Sequence, residues 1–257
     1  MKSSGTTDGA QAIRRAMEVV RTVAQIQRSG ATLNRVARAT GLSTSTAFRI
    51  LRSLTEERLL RFVGADRSYH VGPLAFELGL AAQSEAGLQA RWRESVDAIA
   101  RETRLTTYLM ARSGNEAVCL LCFQGSTALR AMPMEVGQRL PLGIGAGSLA
   151  MLAALEDEEI AAVVESQGAR RDPFPGGKIK PGEVLKRVSL ARQAGYALSN
   201  GTVALGVTGI GVAIPKAHGM NQLAISVSAV ADSINPTEAR KLAAIISSHI
   251  GGVAFMT

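Results

Sequence analysis

The sequence predicts an α+β architecture: a small basic module of three helices and a hairpin, a helical linker, and a larger domain whose strands share a sheet with helices outside it. Three observations carry this. Apolar residues recur at helical spacing through most of the first 58 residues. The stretch LLRFVGADRSYHVG then interposes two short runs around a turn, and past residue 105 strand-like and helical stretches interleave. At 257 residues, 46% of them apolar and 4% aromatic, the chain has material for one large or two ordinary domains packed from Ala, Val, Leu and Ile. No apolar run approaches the roughly 18–20 residues that cross a bilayer. The opening MKSSGTTDGAQAIRRAMEVV has no apolar stretch with a small-residue cleavage site, so a soluble cytoplasmic protein is expected.

The first helix is expected from Ala10 to Ser29, with Ile13, Ala16, Met17, Val20, Val23, Ala24 and Ile26 as its apolar set and Gly30 ending it. Thr32 can cap a short second helix, LNRVARAT, which Gly41 stops. Ser43 is a good N-cap for a third, in which Ala47, Ile50, Leu51 and Leu54 face the other two. The opposite face carries Thr44, Ser45, Phe48, Arg49 and Arg52, with Thr46 in the same first turn. Small hydroxyls permit close approach to a duplex, and arginines supply charge and bidentate contacts. A helix entering a major groove needs both. Short helix, glycine turn and second helix read as helix-turn-helix, and the hairpin that follows makes the module a winged one, with Arg67 at the wing tip near phosphate.

The charge agrees with that reading. The net charge is +8, and residues 1–85 hold twelve basic residues, almost all arginine, against seven acidic ones. Double-stranded DNA is the expected partner, contacted by Thr32, Arg35, Ser43, Thr44, Ser45, Thr46, Phe48, Arg49, Arg52 and Arg67. The bland alternatives are a solvated basic surface and a packing module that never meets DNA. Phe48 either touches a thymine methyl or folds back over its own domain, and folding back is the preferred reading.

Pro73 suits the first position of a linker helix with Leu74, Leu78 and Ala81 as its stripe, and the chain bends near residues 84–87. A second helix carries Trp92, Val96 and Ile99 to about Arg104. TTYLMARSGNEAVCLLCFQ reads as two strands around a Ser-Gly-Asn turn, with a third short strand near residues 127–132. Further helices are expected at 158–167, 183–194 and from Thr237, and further strands at 196–199, 209–214 and 221–229.

Two motifs invite chemistry. Cys119 and Cys122 form C-x-x-C, a possible redox pair or half a metal site. No second pair exists, His70, His218 and His249 are scattered, and the two positions of a regular strand would face opposite sides, so two buried thiols and no metal site are expected. The loop GIGAG runs into a helix whose spare N–H groups can receive an anion. Its spacing is G-x-G-x-G, and no strand ending in an acid follows at the interval a dinucleotide site requires. The loop either lines a pocket or merely allows close helix–sheet packing. Neither a Ser-His-Asp order nor a G-x-S-x-G elbow occurs, so no enzyme, no catalytic residue and no cofactor are expected.

The order of TLNRVARATGLSTSTAFRILRSL, hairpin and HVGPLAFELG, followed by RLPLGIGAGSLAMLA, ARQAGYALSNGTVALGV and LAISVSA, resembles the IclR-type family of bacterial transcription regulators over nearly the whole chain. The resemblance implies a winged helix-turn-helix domain at 1–72, a linker helix at 73–85 that helps pair subunits, and a GAF/PAS-like effector-binding and oligomerisation domain at 86–257. It also implies an effector pocket lined by Leu129, Gly145, Ala146, Gly147, Ser199, Val207, Gly209, Ser226 and Ser228. Residues 226 and 228 share one face of a strand, so two hydroxyls can point into a cavity together, or bond neighbouring backbone. Some members carry an acid at position 199 and a cysteine at 209; with Ser199 and Gly209 the pocket is expected to be roomier and less acidic. The expected function is a homodimeric or tetrameric regulator whose hold on an operator responds to a small organic molecule, such as an organic or aromatic acid. A constitutive dimeric DNA-binding protein and a nucleotide-dependent enzyme using GIGAG are the alternatives.

Overall fold

The structure, a computed structural model, describes residues 8–81, 86–126, 134–167, 174–215, 222–230 and 234–254. Contacts divide the chain into two compact units, one up to Gly87 and the other from Leu88 onward.

The first unit runs α1 (Asp8–Ile26), a single 3-10 turn at 27–29, α2 (Leu33–Thr40), α3 (Thr44–Glu56), β1 (Leu60–Val63), β2 (Ser68–Val71) and α4 (Pro73–Ala81). Its core joins Val19 and Val23 of α1, Val36 of α2, Leu51 of α3 and the hairpin's Leu60 and Tyr69. The apolar pattern misplaced part of α1: Val19 is fully buried, while Ile13 and Met17 stand 67% and 40% exposed. The buried stripe runs through Val19, Val23 and Ile26, in the half of the helix that meets α2 and α3. The stripe read along α4 is likewise incomplete, since Leu78 is exposed.

Gly41 ends α2 in the left-handed region (φ 65°), where its N–H reaches the carbonyls of Ala37 and Arg38. Ser43 caps α3, its Oγ accepting the Thr46 N–H at 3.2 Å. Thr32 holds the N-cap position of α2, but its side chain makes no capping bond. Its backbone instead bridges to Ser68, tying the helix entry to the hairpin. The hairpin pairs Leu60 with Val71 through Val63 with Ser68, and Arg67 closes its turn with φ 52°.

The second unit contains α5 (Ala86–Thr103), β3 (Thr106–Ser113), β4 (Glu116–Phe123), β5 (Arg139–Pro141), α6 (Ala146–Ala153), α7 (Asp157–Ser166), a 3-10 turn at 175–178, α8 (Pro181–Ala194), β6 (Ala197–Asn200), β7 (Val207–Ile214), β8 (Leu223–Val230) and α9 (Pro236–Ala254). The strands form one antiparallel sheet in the order β5-β4-β3-β8-β7-β6. Alternation sorts its side chains: Tyr108 and Met110 face α6, α7 and α8, whereas Leu109 and Ala111 face α5 and α9. Leu109, Ile210 and Ile225 are fully buried; each such side chain contributes about 1.5–3 kcal/mol. β5 was not foreseen, and the strand expected at 127–132 lies outside the described residues.

One expectation fails in β4. Leu109 pairs with Leu121 but Met110 pairs with Cys119, so Leu120 is an extra residue. Such a bulge inverts the alternation beyond it. Cys119 and Cys122 therefore face the same side, toward the α6–α8 layer, and not opposite sides.

Candidate functional site

On α3, Thr44, Ser45, Phe48, Arg49 and Arg52 are all exposed, opposite the buried Ala47 and Leu51. Ser45 Oγ lies 3.1 Å from Ser43 Oγ, and Ser43 Oγ lies 2.9 Å from Thr46 Oγ1, so the first-turn hydroxyls hold one another in place. Arg52 pairs with Glu56 one turn on at 2.8 Å, while no bond to the Arg49 guanidinium is found among the described residues. Arg35 is differently occupied: its head group donates to the carbonyls of Ser29 and Gly30 and to Ser29 Oγ, fastening α2 to the end of α1. Phe48 does not fold back over its domain. It is 47% exposed on the outer face of α3.

The second candidate site arises from a size alternation in β7 and β8. Ile210, Val212, Ile214, Leu223, Ile225 and Val227 fill the side of α5 and α9. The other side receives small residues paired across the strands: Gly209 opposite Ser228, Gly211 opposite Ser226, Ala213 opposite Ala224. The row continues to Ser199 opposite Gly209 and to Tyr108 opposite Ser226. With so little side chain on that face α6 packs close against it, and a cavity remains beneath the helix's N-terminus. Gly145, Ala146, Gly147, Ser199, Val207, Gly209, Ser226 and Ser228 all line it; Leu129 lies outside the described residues. Sequence reasoning missed Tyr108, Met110, Met134, Leu140, Ser148, Val203 and Val227. Alternation in β3 was a usable sign for the first two, whereas Met134 and Val203 lie on irregular segments without periodicity.

Two expectations about this wall need correction. The absent side chain at Gly209 makes no room for a ligand: a Cβ there would stand 3.1 Å from the Ala146 Cβ, so the α6 methyl already fills the space. Nor is the Gly145 N–H free, since it donates to Thr202 Oγ1 at 2.9 Å, and Thr202 in turn meets the Ser199 hydroxyl. For the N–H groups of Ala146 and Gly147 no acceptor is found among the described residues, as expected of a first turn that lacks intrahelical acceptors. Beside them stand the hydroxyls of Ser226 and Ser228. Ser226 is buried, and Ser228 Oγ is shielded from solvent without an aligned hydrogen bond among the described residues.

Burial holds the Tyr108 phenol above its usual pKa, an effect partly offset by the nearby Ser228 hydroxyl, and Tyr108 also accepts the Met134 N–H at 3.4 Å. Among the described residues, no charged side chain lines the cavity. The site can therefore take one polar or anionic end through amides and hydroxyls, and an apolar body against Met110, Met134, Leu140, Val203 and Val207. The sheet is antiparallel throughout, so GIGAG does not sit in the parallel βαβ unit of a dinucleotide site. Among the described residues, no three of His, Cys, Asp and Glu gather where a metal could bind, and no helix is long and apolar enough to cross a membrane.

A basic winged helix-turn-helix followed by a separate sheet domain defines the class, a DNA-binding transcription regulator. Residues 12–64 match the IclR helix-turn-helix domain, and residues 80–249 match the C-terminal domain of the bacterial transcriptional regulator IclR. The chain belongs to the IclR family. It is 27% identical to the HTH-type transcriptional repressor AllR of Salmonella typhimurium over 88% of this chain and 82% of that one. Among solved structures, an IclR transcriptional regulator from Alicyclobacillus acidocaldarius superposes with a TM-score of 0.74 at 20% identity, covering 95% of this chain and 97% of the other. An IclR homolog from Microbacterium hydrocarbonoxydans complexed with 4-hydroxybenzoate gives 0.68 at 22% identity, covering 94% and 99%.

Proposed function

We propose that this chain controls transcription in response to a small organic effector held beneath α6, with a monocarboxylic or hydroxylated aromatic acid as the favoured class. The observation that carries the reading is the cavity wall: the hydroxyls of Ser226 and Ser228 with first-turn amides at one end, aliphatic and methionine side chains at the other. The 4-hydroxybenzoate bound to the structural relative supports the class. In this reading residues 1–72 grip the operator through Ser43, Thr44, Ser45, Thr46, Arg49, Arg52 and Arg67, residues 73–85 join the parts, and residues 86–257 sense and pair subunits. The protein works in the cytoplasm as a homodimer or tetramer without catalysing a reaction. An effector acts only through a difference in its affinity for the DNA-competent and incompetent arrangements.

The test begins with the full chain selecting a binding sequence from random duplex DNA. Arg49→Ala should weaken that duplex by about 1–3 kcal/mol, or roughly 5–150-fold, at fixed salt. A panel of small organic and aromatic acids, 4-hydroxybenzoate among them, is then screened for changes in duplex affinity. Ser226→Ala with Ser228→Ala should leave affinity for bare DNA intact and flatten the response. No response from any acid, or an unaltered dose curve in the double variant, refutes the pocket; failure to select any sequence refutes the DNA reading.

A further inference from the structure

We propose that Phe48 reads the 5-methyl group of a thymine in the major groove and so sets sequence preference at one position of the operator. This rests on the placement of α3 in DNA given above and adds to it the chemistry of one base. Phe48 sits one turn after Thr44 and one turn before Arg52 on the exposed face of the helix, with Ser45 and Arg49 beside it. Ala47 and Leu51, buried on the opposite side, fix which way that face points. No ring or cation contact to Phe48 is found among the described residues, although the wing's Phe62 packs on Tyr69 with ring centroids 5.0 Å apart. An aromatic side chain so placed leaves a large apolar surface in water where a polar residue costs nothing.

Its flanks decide what covers it. Arg49 and Arg52 are exposed, and an apolar protein surface laid over Phe48 would have to bury both cations. A duplex offers the reverse: phosphates for the arginines, and on the groove floor one apolar group, the thymine methyl. The neighbouring side chains leave that floor to Phe48 in the second turn. Ser45 is engaged with Ser43, and Arg52 with Glu56.

The experiment uses the full chain and the duplex it selects from random sequence. Each thymine is replaced in turn by deoxyuridine, which removes the methyl alone. One replacement should weaken the wild type about 3–5-fold, the worth of one buried methyl, and leave Phe48→Ala unaffected, with Phe48→Leu intermediate. Because Phe48 is exposed, the thermal midpoint of Phe48→Ala should match the wild type. If the protein selects a sequence and no uracil replacement distinguishes wild type from Phe48→Ala, the inference is overturned while the DNA reading stands. A selected site without thymine overturns it equally. If no sequence is selected, both fall, and the absence of enrichment tells the two failures apart.

Discussion

Adding one methyl group at position 209 or at position 211 separates a roomy pocket from a packed seam. At Gly209 a Cβ would meet the Ala146 Cβ at 3.1 Å and the Val227 carbonyl oxygen at 3.3 Å. At Gly211 it would stand 2.5 Å from both the Ala146 carbonyl carbon and its oxygen, and 2.8 Å from the Gly147 nitrogen. The first clash is chiefly with a side chain, the second with backbone that cannot swing aside. Gly209→Ala should therefore cost about 1–2 kcal/mol and Gly211→Ala about 3 kcal/mol. Ala146→Gly removes the methyl that Gly209→Ala strikes, so that pair should show a favourable coupling of about 1 kcal/mol. The Gly211→Ala pair should be additive within about 0.5 kcal/mol. Trp92, the sole tryptophan, is 4% exposed in the core of the second unit, so urea unfolding followed by its fluorescence reports that unit. A Gly209→Ala variant as stable as wild type, or equal coupling for both pairs, would refute the packing and restore the roomier pocket.

Thr202→Val strips the acceptor from the buried Gly145 N–H. The second unit should lose about 1–3 kcal/mol by the same fluorescence measurement, and an unchanged midpoint would mean the N–H finds another acceptor. Ser43→Ala removes the α3 cap and should destabilise the first unit by about 1 kcal/mol, seen as faster amide exchange in α3 with the Trp92 transition unmoved; unchanged exchange would refute the cap. Burial pushes the Cys119 thiol from 9.0 up to about 12 and raises Cys122 as well. A folded-state value above the unfolded one contributes stability that is complete below about pH 9 and is lost as pH rises toward 12. At pH 8 a thiol reagent should leave native Cys119 unmodified and label it on unfolding; rapid labelling of the native protein would refute its burial as a neutral thiol.

The sequence showed the winged module almost completely because its punctuation is local: Gly41, the Ser43 cap and the GADR turn each act within a few residues. It also contained the cavity wall in a form open to reading, since GVTGIGVAI and LAISVSA alternate large and small residues at period two. Which small residue meets which depends on strand register, and register is a long-range property. For that reason Ser199, Gly209 and Ser228 could be named by resemblance but not placed in one row. The bulge at Leu120 was hidden for a related reason: an inserted residue leaves no mark in EAVCLLCFQ until its partner strand is known. Arg35 and Arg49 look alike in sequence, yet one reaches the carbonyls that end the first helix and the other does not. Val19 does not stand out in the sequence because Ile13 and Met17 satisfy the helical period equally well.

The hydrogen bonds of the cavity set a condition on any effector. Thr202 satisfies Gly145 and Ser199, while the Ser226 and Ser228 hydroxyls and the first turn of α6 at Ala146 and Gly147 line the cavity where a ligand would sit. A ligand that displaces water but offers no oxygen there leaves those groups unmade, at about 1–3 kcal/mol for each one buried. Apolar bulk against Met110 and Val207 can offset one such loss, at about 0.8 kcal/mol per methylene, but not several. Selectivity should thus be steep at the polar end and shallow along the apolar body. An acid and its isosteric hydrocarbon should differ by a factor of at least about 10 in affinity, whereas a homologue longer by one methylene should differ by no more than about 4. Calorimetric titration of the full chain with such a pair and such a homologue measures both ratios. If the hydrocarbon binds as well as the acid, the serine hydroxyls and first-turn amides have no part in recognition.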